Sequence, residues 1–313
     1  MNISVIIPIF NASTFIEKAV QSCLQFPEVK EILLVEDGST DRSLEVCKKL
    51  AQQFSVIKIL THPNNENRGV SASRNFGMDC ATQEFITFLD ADDYWLPNRF
   101  DAEREYFKNE KIEGVFGAIG VEFVTEAGKK KYLEVINDTG LTTVHHAAEG
   151  MDVFNGLIQI NPNFGTFFSL IATTLRKSAL DHHNLRLNET LRMHEDKDFI
   201  VKLAYHCHLK TGSIDKAVAM RTGHENNTFS SVKNYSPEYF LNKQKLYSSL
   251  YHWAKEQKNM PEEVTELFKI KETCAKVAKR NGLSKYLWYI LFATTNLKLL
   301  KTRYRYMALN NYL

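Results

Sequence analysis

Glu84-Phe85-Ile86-Thr87-Phe88-Leu89-Asp90-Ala91-Asp92-Asp93 is the stretch on which the fold reading turns. Phe85 to Leu89 is apolar on both faces of an extended chain, so it reads as a strand buried on both sides. Carboxylates follow at once, and acids crowded at one strand end repel each other unless something cationic meets them. Hard divalent ions with oxygen ligands, Mg²⁺ or Mn²⁺ bridging to phosphates, answer that charge. The plainer reading is that Asp92 or Asp93 caps a helix starting near Pro97.

The same grammar extends toward the N-terminus. Ile3 to Ile7, Glu31 to Val35 and Val56 to Leu60 read as strands, and Ser13 to Leu24, Thr40 or Asp41 to about Gln53 and Val70 to Ala81 as helices. Ser13 or Thr14 is the expected N-cap of the first helix. Buried strands alternating with helices specify an α/β fold with a mostly parallel sheet covered on both sides. Ligands of such sheets bind beyond the carboxyl ends of the strands. Pro8-Ile9-Phe10-Asn11, Glu36-Asp37-Gly38-Ser39 and Asp90-Ala91-Asp92-Asp93 all fall there. Asp37 is suited to accept a hydrogen bond from a nucleobase, whereas Asp41 reads as a cap. Gly69 opens a helix whose amides favour anions, and Arg74 inside it offers a fixed fork of donors to a base or diphosphate.

The distal half is less periodic. Val115 to Thr125 and Tyr132 to Ile136 are expected as strands around a Glu126-Ala127-Gly128 turn, with further strands at Phe167 to Leu175 and Ala217 to Met220. Glu195 to Cys207 has helical spacing, and after Pro237 the chain reads as helices only.

Composition bounds the rest. Hydrophobic residues make 44% and charged residues 24% of 313, which excludes disordered and low-complexity classes. The longest near-continuous apolar run, Tyr286 to Ala293, is far short of the roughly 20 residues a spanning helix needs. No basic, cleavable leader opens the sequence, so no signal peptide is expected, and the Asn-x-Ser/Thr triplets at Asn11, Asn137, Asn188 and Asn226 read as chance. The five cysteines form no CxxC pair and read as reduced core thiols of a cytoplasmic protein. Residues 273–313 hold eight basic and no acidic residue, which leaves 31 of the 39 basic residues against all 37 acidic ones in residues 1–272. That basic tail, with Tyr286, Trp288, Tyr289 and Phe292, suits an anionic membrane surface. The alternative is that it packs on the body or on a second subunit of a homo-oligomer. No nucleic-acid motif accompanies it and the body is acidic, so no nucleic-acid partner is expected.

Taken together, Pro8-Ile9-Phe10-Asn11, Val35-Glu36-Asp37-Gly38-Ser39-Thr40-Asp41, Asn67-Arg68-Gly69 with Ser73-Arg74-Asn75-Phe76-Gly77, and Glu84 to Asp93 resemble family 2 of the glycosyltransferases over roughly residues 3–100. Glu36 stands where the family more often has Asp. The resemblance implies a GT-A fold and inverting transfer from a nucleotide-sugar donor, UDP-linked by likeness, to a glycan or lipid-linked acceptor of surface polysaccharide or lipopolysaccharide. It implies that Pro8, Phe10, Asn11, Asp37, Arg74, Asp90 and Ala91 serve the nucleotide sugar and that Asp92 ligates a divalent metal, Mn²⁺ or Mg²⁺. Met193-His194-Glu195-Asp196 resembles the element carrying the family's catalytic base, with Asp196 as base and Glu195 beside it. The plain reading of these acids is that they complement the helix dipole. Met220 to Thr228 resembles an Arg-x-x-His segment, which brings His224 to the metal or diphosphate. The expected organisation is a catalytic domain over residues 1–232, split near residue 100 into donor and acceptor halves, and a helical extension over 233–313. The rivals are a nucleotide-sugar-binding protein without catalysis and a metal-dependent nucleotidyltransferase. Against the latter, no glycine-rich phosphate loop follows the first strand.

Overall fold

A computed structural model describes residues 1–135, 140–225, 227 and 232–310. In chain order the first elements are β1 (Ile3–Ile9), α1 (Ile16–Leu24), β2 (Val29–Glu36), α2 (Ser43–Gln53), β3 (Ile57–Thr61), α3 (Val70–Cys80), β4 (Phe85–Phe88), β5 (Tyr94–Trp95) and α4 (Asp101–Tyr106). Then come β6 (Gly114–Phe116), β7 (Ala118–Phe123), α5 (Glu126–Val135), α6 (Met151–Leu157), β8 (Thr173–Arg176), α7 (Lys177–His182), α8 (Glu195–His206), β9 (Leu209–Thr211) and β10 (Ala217–Gly223). Four helices close the chain, α9 (Pro237–Glu256), α10 (Glu262–Ala278), α11 (Gly282–Thr295) and α12 (Thr302–Leu309).

Seven strands form the main sheet in the order β3-β2-β1-β4-β8-β6-β9. The pairs β3-β2, β2-β1, β1-β4 and β6-β9 are parallel, and β8 runs antiparallel to both of its neighbours. A second sheet has the order β5-β10-β7. Ile9 pairs with Glu36 and Ile6 with Phe88, so Asp37 and Asp90 leave the sheet from the same edge. The expected α/β class with a mostly parallel sheet is therefore what the chain builds.

The chain forms two compact units: Met1–Glu189 with Phe199–His224, and Thr190–Asp198 with Glu225–Leu313. The first has its core on the faces of the main sheet, where β1 and β2 bury nearly every side chain. An ion pair lies inside it. Arg99 and Glu103 are buried and bonded to each other, and Arg99 Nη2 also donates to Thr87 Oγ1 at 3.1 Å and Thr174 Oγ1 at 3.2 Å. The second unit has a core of Ile270, Cys274, Val277, Tyr289, Ala293, Leu299, Met307 and Ala308.

Four local expectations are corrected. Tyr132 to Ile136 was expected as a strand after a turn at Glu126-Ala127-Gly128. The described part, Glu126–Val135, is the helix α5 instead. Its charged residues Glu126, Lys129, Lys130, Lys131 and Glu134 are good helix formers, and Ile136 lies outside the described residues. Of Phe167 to Leu175, only the stretch from Thr173 is strand, because Leu170–Ala172 winds into a 3₁₀ turn. The helix after the acidic cluster begins at Asp101, so neither Asp92 nor Asp93 caps it. Ser13 and Thr14 do not cap α1 either: it starts at Ile16, with Phe15 in the cap position.

Candidate active site

The loops at the carboxyl edge of β1, β2 and β4 are tied together before any ligand is considered. Asn11, in the left-handed region at φ 50°, accepts through Oδ1 from Thr40 N at 2.8 Å and Asp41 N at 3.3 Å. Asp41 accepts from Ser43 N at 2.9 Å and Ser13 N at 3.1 Å. Burial raises its pKa, but these bonds outweigh that and hold it at about 2. Glu36 folds back to accept from Ser39 N at 2.6 Å and Gly38 N at 3.2 Å, a reach its extra methylene allows. Gly38 is required here. Its φ is +71°, and a Cβ would stand 2.5 Å from the Asn65 carbonyl oxygen.

Asp37 is buried, and both its oxygens are engaged. Oδ1 accepts from Arg68 N at 2.7 Å and Oδ2 from Gly69 N at 2.9 Å, while Asn67 Nδ2 donates to the Asp37 carbonyl at 3.0 Å. The helix N-terminus at Gly69, expected to attract an anion, thus meets the Asp37 carboxylate. Phe10, just after β1, is half exposed (50%) at the rim of the same edge. Pro8 lies one residue before the end of that strand, and Ala91 is buried in the turn after β4.

Two pairs of sequence-predicted residues do come together. Arg74 Nη2 donates to Asp90 Oδ1 at 2.6 Å. His224 Nε2 stands 2.9 Å from Asp92 Oδ2, though the two are 132 residues apart in sequence. Two neighbours unforeseen in the sequence hold His224. The ring of Phe15 stacks on it at 4.7 Å and 20°. Gly128 of α5 lies against its backbone, where a Cβ would come within 2.6 Å of His224 Cα. Asp93 is buried and accepts from Thr222 N at 2.8 Å, pinning the end of β10 to the acidic turn. Burial first, then the charges of Asp92 and Asp90, push the Asp93 carboxyl well above the usual carboxylate range.

The Asp92–His224 pair offers one carboxylate oxygen and one imidazole nitrogen on facing atoms. That donor set fits a divalent ion such as Mn²⁺. Among the described residues no three His, Cys, Asp or Glu side chains converge into a closed cage. Asn226 and Thr228, in the segment after His224, lie outside the described residues.

Glu195 and Asp196 belong to the second unit, in the first turn of α8. Asp196 Oδ1 accepts from Lys197 N at 2.7 Å. His194, just before them, is held at φ 65°. Burial, with Lys243 and Lys197 nearby, lowers its pKa to about 3, so its imidazole is neutral.

The family model described as glycosyl transferase family 2 matches residues 4–179. Among curated proteins, the succinoglycan biosynthesis protein ExoU of Rhizobium meliloti is 26% identical over 211 residues, which is 64% of this chain and 56% of that protein. The chain thus spans about half the length of that relative. Among solved structures, S. aureus TarS 1-349 in complex with UDP-GlcNAc aligns with a TM-score of 0.60 at 19% identity, over 99% of this chain and 79% of that one. The mannosyltransferase PcManGT from Pyrobaculum calidifontis, in complex with GDP-Man and Mn²⁺, aligns with a TM-score of 0.53 at 14% identity, over 98% of this chain and 83% of that one. These two likenesses establish a shared fold.

Proposed function

This chain belongs to glycosyl transferase family 2, and from that premise we propose that it transfers a sugar from a UDP-linked donor to a hydroxyl of a surface-glycan precursor, with inversion. The observation that carries the reading is the meeting of Asp92 with His224 at the strand edge where Arg74 holds Asp90. Phe10 stacks on the base, and Asp37 accepts from it with the lone pairs its loop bonds leave unused. Arg74 and Asp90 face the ribose and diphosphate. Asp92 and His224 would hold the metal, with Mn²⁺ favoured over Mg²⁺ because one ligand is an imidazole. A divalent ion bound there would neutralise the leaving nucleoside diphosphate. Asp196, oriented by the Lys197 N–H, accepts the proton of the attacking hydroxyl. One displacement at the anomeric carbon gives the inverted product without a nucleophilic residue. The UDP-GlcNAc bound by TarS and the Mn²⁺ in the mannosyltransferase support the donor and metal assignments. The succinoglycan relative supports the glycan acceptor.

The test is a screen of nucleotide sugars of each base, with and without Mn²⁺, for sugar release and transfer, with the anomer read by NMR coupling. UDP-sugar turnover with an inverted product is expected. Binding without turnover would favour a non-catalytic protein, and release of pyrophosphate would favour a nucleotidyltransferase.

The reading extends to location: we place the reaction at the cytoplasmic face of a membrane. Among the described residues no helix is long and apolar enough to cross one. α11 buries Tyr289 and Ala293 on one face, while Leu283 (82% exposed), Tyr286, Leu287 (67%), Ile290 and Leu291 line the other at helical spacing. Leu297 and Leu300, also exposed, follow in the chain, with exposed Lys301 and Arg305 close by in sequence, while Lys298 pairs with Glu266. An apolar row edged by cations fits an anionic lipid surface. Leu287→Glu with Ile290→Glu is expected to abolish sedimentation with anionic vesicles at low salt. A wild-type dimer in solution, split by the same substitutions, would mean that a second copy covers the row.

A further inference from the structure

His224 is fixed at its backbone and at its ring by different parts of the first unit. Its backbone follows β10, where Thr222 N donates to Asp93 Oδ1 at 2.8 Å and the Gly223 carbonyl accepts from Val124 N at 3.2 Å. Gly128 of α5 closes on the same stretch. A Cβ there would stand 2.6 Å from His224 Cα, 2.7 Å from the Gly223 carbonyl oxygen and 2.9 Å from His224 N. These are backbone atoms and cannot rotate away. That close approach accounts for a glycine inside a helix, where alanine is the better former. What the backbone leaves open is the rotation of the imidazole, and Phe15 meets that ring nearly face to face, at 4.7 Å and 20°. Phe15 is half-buried, whereas the His224 side chain is only 11% exposed. Phe15 also occupies the N-cap position of α1 without giving the helix a hydrogen bond, a place where Ser, Thr, Asp or Asn stabilise a helix. The turn that carries it is anchored. Phe15 N donates to the Ala12 carbonyl at 2.8 Å, Ala12 N to Ser43 Oγ at 2.9 Å and Ser13 N to Asp41 Oδ2 at 3.1 Å.

Turning the imidazole about its Cβ–Cγ bond gives up the stack on Phe15 and carries Nε2 off Asp92 Oδ2, 2.9 Å away, in one movement. The stack and that contact therefore favour the same rotamer, and stacked aromatic pairs contribute beyond the area they bury. A ligating imidazole needs a neighbour that sets its ring plane. We infer that Phe15 is a positioning residue that presets the plane of the His224 imidazole, with Nε2 facing Asp92, for a divalent ion. The inference rests on the reading of Asp92 and His224 as the metal pair. A phenyl group has no donor atom, so Phe15 takes no part in coordination and acts through His224. A ligand held in its binding orientation has less freedom to lose when the ion arrives, and the flat face of Phe15 thereby raises affinity for the ion.

The test needs no turnover. In the metal-free full chain, the imidazole ring protons of His224 are observed by NMR and assigned by their loss in His224→Gln. They are expected upfield of the ordinary imidazole range, shifted by the Phe15 ring, and back within it in Phe15→Leu. Mn²⁺ is then titrated in the presence of UDP, with the free ion followed by EPR. Phe15→Leu is expected to weaken Mn²⁺ about tenfold, the lower end of what losing a neighbour that orients a ligand costs. Phe15→Tyr keeps the flat face and should stay near the wild type, whereas His224→Gln should lose more than Phe15→Leu. Wild-type Mn²⁺ affinity in Phe15→Leu, or an equal loss in Phe15→Tyr, would overturn the role of Phe15. Unshifted His224 ring protons in the wild type would overturn it as well, whether or not the variants fold. Absence of Mn²⁺ binding to the wild type, or wild-type affinity in His224→Gln, would instead sink the metal reading, and the inference with it.

Discussion

At the residue scale, Asp92 is the most exacting test of the donor site. Asp92→Asn keeps the shape but exchanges a charged oxygen ligand for an amide, a far weaker ligand for hard cations. Transfer should fall by about 10²–10³, in line with loss of a main electrostatic contact, and nucleotide binding should lose its response to Mn²⁺. Near-normal transfer by this variant would remove Asp92 from the metal site. Asp196→Asn should leave donor affinity intact and lower turnover by roughly 10²–10⁴, the usual worth of a general base. Donor affinity that fell in parallel would give Asp196 a role in binding or folding instead. Much of this site was legible because Asp37, Arg74, Asp90 and Asp92 each sit at the end of a strand or in the helix that follows it, where local pattern is informative. The clasp around His224 was not. Phe15 and Gly128 lie 209 and 96 residues from it in the chain, and no local periodicity ties a ring or a glycine to so distant a partner.

At the scale of elements, the strands that read most clearly are those buried on both faces, because burial enforces a continuous apolar run. β1, β2 and β4 are of that kind. α5 was misread since its buried Tyr132 sits among lysines and glutamates that a strand edge could also carry. The link between β4, β8 and α4 is a buried ion pair rather than a greasy contact, and it is predicted to be fragile. Glu103→Ala leaves the Arg99 guanidinium uncompensated within the first unit and should cost about 3–5 kcal/mol, read as a lower denaturant midpoint. Arg99→Met with Glu103→Leu should recover most of that loss, since an apolar pair of similar volume often matches a buried ion pair. A double variant as unstable as Glu103→Ala would mean that Arg99 serves mainly through its bonds to Thr87 and Thr174.

Over the whole molecule, Lys197, Lys243 and Lys271, each lowered chiefly by burial, make stability run unusually with pH. Lys197 and Lys271 titrate near 7 and Lys243 near 8 in the fold, against about 10.4 in an unfolded chain. Between these values the unfolded state binds more protons, so stability rises with pH. His194, lowered to about 3 from about 6.5 when unfolded, adds the same sign below neutrality. Above about pH 9 the trend should end, because burial raises the thiols of Cys23, Cys47, Cys207 and Cys274, and an unfolded chain would release those four protons first. The melting temperature in phosphate-free buffer is therefore expected to climb from pH 5 to pH 9, with Lys271→Met flattening the upper half. A maximum at pH 7 in the wild type would contradict it. The chain's path adds a different kind of constraint. It enters the second unit at Thr190, leaves after Asp198 at the end of the first turn of α8, and returns at Glu225. A recombination event that exchanged everything after residue 224 would carry off α9 to α12 and leave Asp196 and Lys197 behind with the parent sequence. The nine residues 190–198 and the distant tail are therefore one heritable module written in two places, and a change in one has to be met by a change in the other for the unit to keep its packing.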